Sequence, residues 1–528
     1  MAFPHMPPVN MIRRLLMFED AVPRRLRFWI IVFFAFCYQI AGCVYLAAMP
    51  QMMGETGFLS EDYTMTNYCV LIGLNVIFPM LFRWKFGLHT RQLFFISTGA
   101  LIGCNVLAMY ACQPWMLWVL GFLAGYFKMM GMFGCMSTIQ LNITPTRNFA
   151  VFFPVIYVIV CSSIQLTGII DTYVTYFTNW RMMHWVIISL MLIIDGIVYF
   201  LMKHDHRSGP NVPLKGIDWV GQILWTVTCC IGAWIFTFGE HYDWWDSIEI
   251  WRGTWLFIAS LAVTLIHAKY KKEPYIALQA FTYPAAWALM LPLLGMAIID
   301  GANHLLQPIY LGGILHYDSL NQAALNLPQI AGVVMGSILA YFILVRWRWN
   351  VKKYLYMTFG LATYYAMSMY FLCSYADTAQ EMMYFGVFAL GAAEAMMECI
   401  ATYYLSQNIP FQHFFMNIAI IGFMRCGFGT SIGGAFIHRV YHHATTYNFM
   451  VGSEALNANV VNPEVMAAYS QQSLLQAIQD TYAVAAVVGF AVILVVLMSN
   501  YRSTITRYVP RLMAVRRWMT GTAPDPTL

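Results

Sequence analysis

Apolar residues run along this chain in long blocks, interrupted by short polar segments rich in Arg and Lys. A helix needs about 20 predominantly apolar residues to cross the hydrocarbon core of a bilayer. Fourteen such runs stand out, at 28–50, 65–82, 93–112, 115–137, 150–172, 182–202, 218–238, 252–268, 284–313, 319–345, 354–374, 382–405, 411–437 and 479–500. The run at 252–268 is short. The run at 284–313 is long and carries Pro292 and Pro308, which predicts a kink or an overhang beyond the membrane.

Composition agrees with lipid as the solvent. Of 528 residues, 60% are hydrophobic and 10% charged, against about 25% charged in soluble domains. Mean hydropathy is +0.61. A water-soluble fold of this chain would lack the polar side chains to cover its outside. The net charge of +5 does not indicate a nucleic-acid partner, because the basic residues cluster between apolar runs and not along one face. The twelve cysteines fall inside or at the ends of apolar runs without a CxxC pair. They read as small packing residues, and no cofactor or metal is expected. Five Arg precede the first run and no small-residue cleavage site follows it, so that run reads as a retained span.

Charge also orients the spans. If the N-terminus is cytoplasmic, 24 of the 29 Lys and Arg fall on the cytoplasmic side, as cytoplasmic loops favour basic residues. Arg181, Arg252 and Arg439 fall outside, where the loops carry Glu240, Asp243, Asp246 and Glu249. An even number of spans with both termini cytoplasmic follows. The chain also repeats. RWKFGLHTRQLFFISTG (Arg83–Gly99) after the second run is echoed by RWRWNVKKYLYMTFG (Arg346–Gly360) after the tenth. Two parallel six-helix halves with a central inserted pair explain that spacing, and this is the major facilitator plan with substrate at the interface between halves. The expected organisation is a tail at 1–27, one half at 28–202, a linker with the inserted pair at 203–272, a second half at 273–500 with a long outer loop at 438–478, and a tail at 501–528.

Several short signatures carry a family resemblance. Ala48-Met49-Pro50 ends the first run, Trp180-Arg181 opens the sixth, and Asp218-Trp219-Val220-Gly221 starts the inserted pair. Trp245-Asp246-Ser247 lies between its two spans, Pro308-Ile309-Tyr310-Leu311 ends the ninth run, and Arg425 precedes Gly429-Thr430-Ser431-Ile432-Gly433 in the thirteenth. In this order they resemble the fourteen-span drug:proton antiporters of the EmrB type, within the major facilitator superfamily. The resemblance implies an all-α polytopic fold in the cell (inner) membrane that exports small amphipathic molecules or drugs by proton antiport. It also implies a periplasmic adaptor and an outer-membrane channel as partners, beside lipid, protons and substrate. The chain departs from the pattern as a divergent member would. The acidic residue of the loop motif is replaced at Trp84 or a neighbour, and that of the first span near Ala41. The fifth-span motif is reduced to Gly168, with Asp171 and Thr172 where paired glycines would fall, and the fourth-span arginine becomes Gly121, with Lys128 two turns on.

Ionisable side chains within spans are costly, roughly 2.5–3.5 kcal/mol by insertion scales, so each asks for a reason. Glu394 and Glu398 stand at i,i+4 on one helix face. Two carboxylates so close in a low dielectric resist ionising together, which is what proton coupling exploits; the alternative is a structural pair neutralised by Arg425 or Lys128. Asp300, Asn303, His304 and Gln307 recur at i, i+3, i+4 and i+7 in the ninth run, as one face of a helix. That face lines a cavity or bonds a neighbouring helix. Asp300 joins the two glutamates as a proton-coupling candidate, and Asn303, His304, Gln307, Lys128 and Arg425 are the substrate-cavity candidates. Asp195 and His184 read as structural, Asp171 as wetted near a span end, and the histidines 438, 442 and 443 as a solvated loop. No HExxH, GxSxG or P-loop pattern occurs, so the reading is not an enzyme. The alternative to a proton-driven exporter is a uniporter, importer or lipid flippase on the same fold.

Overall fold

The computed structural model describes residues 17–144, 148–207, 216–455 and 463–499. Arg147, Lys215, most of the N-tail, the whole C-tail and part of the outer loop lie outside the described residues. Apolar side chains along the long runs leave the backbone there no partner but itself, so the chain is helical almost throughout. In chain order the principal helices are α1 (Arg24–Ile40), α2 (Met49–Thr56), α3 (Ser60–Val76), α4 (Thr90–Ala108), α5 (Pro114–Ile143), α6 (Phe149–Phe177), α7 (Trp180–Leu201) and α8 (Trp219–Phe238). They continue as α9 (Ile248–Tyr270), α10 (Pro284–Pro308), α11 (Asn326–Tyr341), α12 (Val351–Leu372), α13 (Tyr384–Asn408), α14 (Phe411–Arg425), α15 (Phe428–Ala455) and α16 (Pro463–Met498).

Helix lies at each of the fourteen apolar runs, but among the described residues twelve helical segments are long and apolar enough to cross a membrane. Two of the fourteen runs fall outside that count. α1 has 17 residues and stops at Ile40, where the first run predicted one helix to residue 50. α12 contains Tyr354, Tyr356, Tyr364, Tyr365 and Tyr370, whose hydroxyls lower its apolarity. The thirteenth run is two helices, α14 and α15, separated at Cys426. The expected long outer loop is itself largely helical, because α15 runs on to Ala455 and α16 begins at Pro463. At 36 residues, α16 is about 54 Å long, well beyond a core of about 30 Å. The overhang expected at 284–313 is a π-helical turn, Ile309–Ile314, that follows Pro308.

Helix packing repeats along the chain. α3 packs on α5 as α11 packs on α13; α4 packs on α5 and α7 as α12 packs on α13 and α16. The first of these pairs is the tightest in both halves because glycine lets backbones meet. At Gly73, Gly121 and Gly125 an added Cβ would run into backbone of the facing helix, at Phe122, Thr66 and Val70; at Gly332, Gly336 and Gly391 it would run into Phe388, Ala392 and Gln329. Between the halves, α6 packs on α11 and α13, and α3 on α14 and α15. The inserted pair packs on itself, with α8 seated against α3 and α15. Asp218 fastens its base, accepting from Gly221 N at 3.0 Å and Tyr275 N at 3.0 Å and pairing with His267 Nε2 at 2.9 Å. Phenylalanines close the seam between halves at the end where α6 and α14 begin. Ring centroids of Phe82 and Phe415 are 4.6 Å apart, those of Phe133 and Phe415 6.1 Å, and those of Phe149 and Phe414 5.9 Å.

Two outcomes check this architecture. Gly125→Leu or Gly332→Leu should lower the thermal unfolding midpoint in detergent by several degrees, as overpacking typically costs about 1–3 kcal/mol. Gly99→Leu, with nothing within 4 Å of the added carbon, should not. All twelve cysteines are free and Cys112 is the exposed one, between α4 and α5. If the N-terminus is cytoplasmic, a membrane-impermeant maleimide applied to whole cells should label the protein, and Cys112→Ala should abolish most of that labelling.

Candidate functional site

Burial along α13 singles out two positions. From Ala389 to Leu405 every residue is buried except Glu394 and Glu398. This enclosed stretch of α13 is open only at its two carboxyls. Gln329 Nε2, from α11, donates to Glu394 Oε1 at 2.8 Å. Arg425, the last residue of α14, lies with Nη1 at 2.6 Å from Glu398 Oε2; the two side chains are 14% and 20% exposed. The same Nη1 donates to Tyr157 Oη on α6 at 3.1 Å. Asp300 of α10 is within electrostatic reach of both glutamates, and among the described residues its Oδ1 is buried without a hydrogen-bond partner. The cluster thus holds three carboxyls and, among the described residues, one ion pair, Glu398 with Arg425. Charge balance in so enclosed a place asks for another cation, either a proton or a positive group on a ligand.

The remaining candidates divide. His304 is exposed and Gln307 half-buried one and two turns beyond Asp300. Asn303 is 5% exposed, and its Oδ1 accepts from Tyr365 Oη at 2.6 Å. Lys128 stands apart from the acids, donating to Gln39 O at 2.7 Å. His442 lies on α15 with Nε2 at 3.9 Å from Glu240, which also pairs with Arg439 at 3.1 Å. Asp195 accepts a hydrogen bond from Thr98, joining α7 to α4.

No protein-family profile matches the sequence, and no curated protein matches it. Solved structures do. A proton-dependent oligopeptide transporter solved in a study of substrate recognition superposes with a TM-score of 0.57 at 11% identity, covering 92% of this chain and 99% of its own. A peptide transporter POT in complex with sulfate gives 0.56 at 11% identity, over 96% and 99%. A mutant of the nucleoside transporter NupG gives 0.52 at 11% identity, over 88% and 99%. The chain has the major facilitator fold.

Within that fold the first helix is broken, which the sequence did not announce. Between Ile40 and Leu46 the backbone leaves the helix, and residues 41, 43, 44 and 45 are buried. Such backbone is tolerated at membrane depth only where protein satisfies it. Lys128 provides a cation at the carbonyl end of α1, where the helix dipole favours one. Asp171, expected to be wet, is 1% exposed. Its Oδ2 accepts from Ala48 N at 3.2 Å, at the start of the next helical piece, and Thr175 Oγ1 donates to Oδ1 at 3.3 Å. Asn105 bridges the gap: Nδ2 donates to Gly42 O at 3.0 Å, and Oδ1 accepts from Tyr45 Oη at 3.0 Å and His184 Nδ1 at 2.9 Å. Two residues that sequence reasoning set aside, Asp171 and His184, thus hold the break, and Tyr157 and Gln329 were missed as partners of the acids.

Removing the cap should be felt in stability. Asp171→Ala strands a buried N–H, a loss of about 1–3 kcal/mol, and should lower the thermal unfolding midpoint. Asp171→Asn keeps an acceptor and should cost less. Wild-type unfolding of the Ala variant would dismiss the cap.

Proposed function

We propose that this chain is a secondary active transporter that exports small amphipathic molecules by proton antiport, working by alternating access between two six-helix halves. The observation that carries the reading is the enclosed stretch 389–405 of α13, accessible only at Glu394 and Glu398, with Asp300 beside them and one guanidinium, paired with Glu398. A site short of one positive charge, built where the two halves meet, can take a proton in one state and a cationic substrate in another. The fold shared with solved peptide and nucleoside transporters supports transport as the class.

In this reading the helices at all fourteen runs cross the inner membrane with both termini cytoplasmic. The halves are 28–202 and 273–500, joined through the inserted pair in 203–272. The chain is then a divergent relative of the EmrB-type antiporters with no catalytic role. The hairpin of α15 and α16 beyond the membrane is the surface open to a periplasmic adaptor. One observation favours the second reading, a uniporter, importer or flippase: the fifth-span position where the antiporter family has glycine holds Asp171, committed here to a helix cap.

Proteoliposomes loaded with ethidium, an amphipathic cation, separate the two. Exchange for one proton across a one-unit pH gradient supports about a tenfold substrate gradient, and a protonophore should collapse it. Glu394→Gln or Glu398→Gln keeps size while removing titration, and one of them should move ethidium without gradient dependence. Unchanged dependence in both variants would shift coupling to Asp300, and gradient-independent movement by the wild type would favour the uniporter.

A further inference from the structure

The ion pair of Glu398 and Arg425 belongs to two helices of one half, yet it is completed from the other. Arg425 ends α14, and Cys426 (φ −135°, ψ 52°) interrupts the helix before α15 resumes at Phe428. Two side chains of the N-terminal half hold this break. Tyr157 Oη on α6 accepts from Arg425 Nη1 at 3.1 Å, with the guanidinium carbon 6.0 Å from its ring centroid. Asn75, fully buried on α3, donates through Nδ2 to Cys426 O at 3.3 Å and to Leu71 O at 2.7 Å. The carbonyl that the break frees is thus satisfied across the seam. Fifteen residues earlier, α14 begins at the phenylalanines that close the same seam. One short helix therefore carries two of the contacts between the halves, an apolar one at its start and a polar one at its end.

We propose that Tyr157 is a positioning residue that ties the protonation of Glu398 to closure of the seam along α14. The groups facing the pair are Asp300 from α10, Glu394 and Cys399 on α13, Cys426 beyond α14, and Cys161 beside Tyr157 on α6. With Glu398 ionised, Arg425 is neutralised and donates to Tyr157. A proton on Glu398 leaves a buried cation whose remaining partners are a phenol and the Cys426 sulfur, which is strongly unfavourable. Arg425 then turns to the remaining carboxyls, Glu394 and Asp300, and leaves Tyr157. With that bond gone, α14 itself is held to the N-terminal half by the Asn75 contact and its phenylalanine face. The proton signal thus reaches the seam through one phenolic oxygen.

This rests on the proton-coupled reading above, and hydrogen–deuterium exchange tests it without a substrate. In the full-length protein in nanodiscs, peptides spanning 411–430 should exchange faster in mildly acidic than in alkaline buffer, after correction for intrinsic rates. Tyr157→Phe should exchange fast in both, losing the difference, and Glu398→Gln should do the same. Tyr354→Phe removes a buried hydroxyl whose bond to Met396 O stays within one half, and should keep the wild-type difference; this controls for the general cost of losing a phenol. If Glu398→Gln loses the difference but Tyr157→Phe keeps it, the tie is overturned and proton coupling through Glu398 stands. If neither variant changes it, or the wild type shows none, the tie and the role of Glu398 fall together.

Discussion

A bilayer core offers no water, so every charge and every interrupted hydrogen bond within it must find its partner in the protein. That constraint orders the whole molecule. It makes the chain helical, and it pairs Arg425 with Glu398 and Glu394 with Gln329. It also places Lys128 and Asn105 against the carbonyls of the first break, and Asn75 against that of the second. Asp300 meets that constraint only in part, since one of its carboxyl oxygens is buried and unpartnered among the described residues.

The same rule explains what could be read in the sequence and what could not. Apolar runs of sufficient length are visible one residue at a time, and so are charges within them, which is why Glu394, Glu398, Asp300 and Arg425 could be named together. Their partners could not. Tyr157 is one of 32 tyrosines and Gln329 one polar residue in an apolar run, and only packing of α6 and α11 against α13 brings them to the acids. The break after Ile40 was hidden because Ala41, Gly42, Cys43, Val44 and Tyr45 are as apolar as a helix would be; its evidence lay in Lys128, Asn105 and Asp171, on three other helices. The segment 438–478 misled in the opposite direction. Its polar residues suggested a loop, but a helix outside the membrane needs no apolar face all round, and α15 and α16 simply continue.

The glycine contacts show how the two halves can share an arrangement without sharing residues. In the first half the close-packed pair carries Gly73 on α3 and Gly121 and Gly125 on α5; in the second, Gly332 and Gly336 lie on α11 and Gly391 on α13. The weight of small residues sits on opposite members of equivalent pairs. What the fold requires is that two backbones meet, and either helix can yield the space. Sequence comparison between halves therefore finds the basic loops at Arg83 and Arg346 and passes over the tighter and more constraining contact.

The interrupted first helix also bears on how the protein is made. Its carbonyl end is satisfied by a side chain 89 residues further along, and its second piece by one 123 residues further. When this segment leaves the ribosome, neither partner has been synthesised. A stretch of hydrocarbon-embedded backbone with no acceptor or donor at hand has one way to satisfy itself, which is to continue the helix through Ala41–Tyr45. The first segment thus enters the membrane as an unbroken rod and is bent later, once α5 and α6 arrive. Biogenesis and native structure then differ at this place, and assembly of the first half includes a local unwinding.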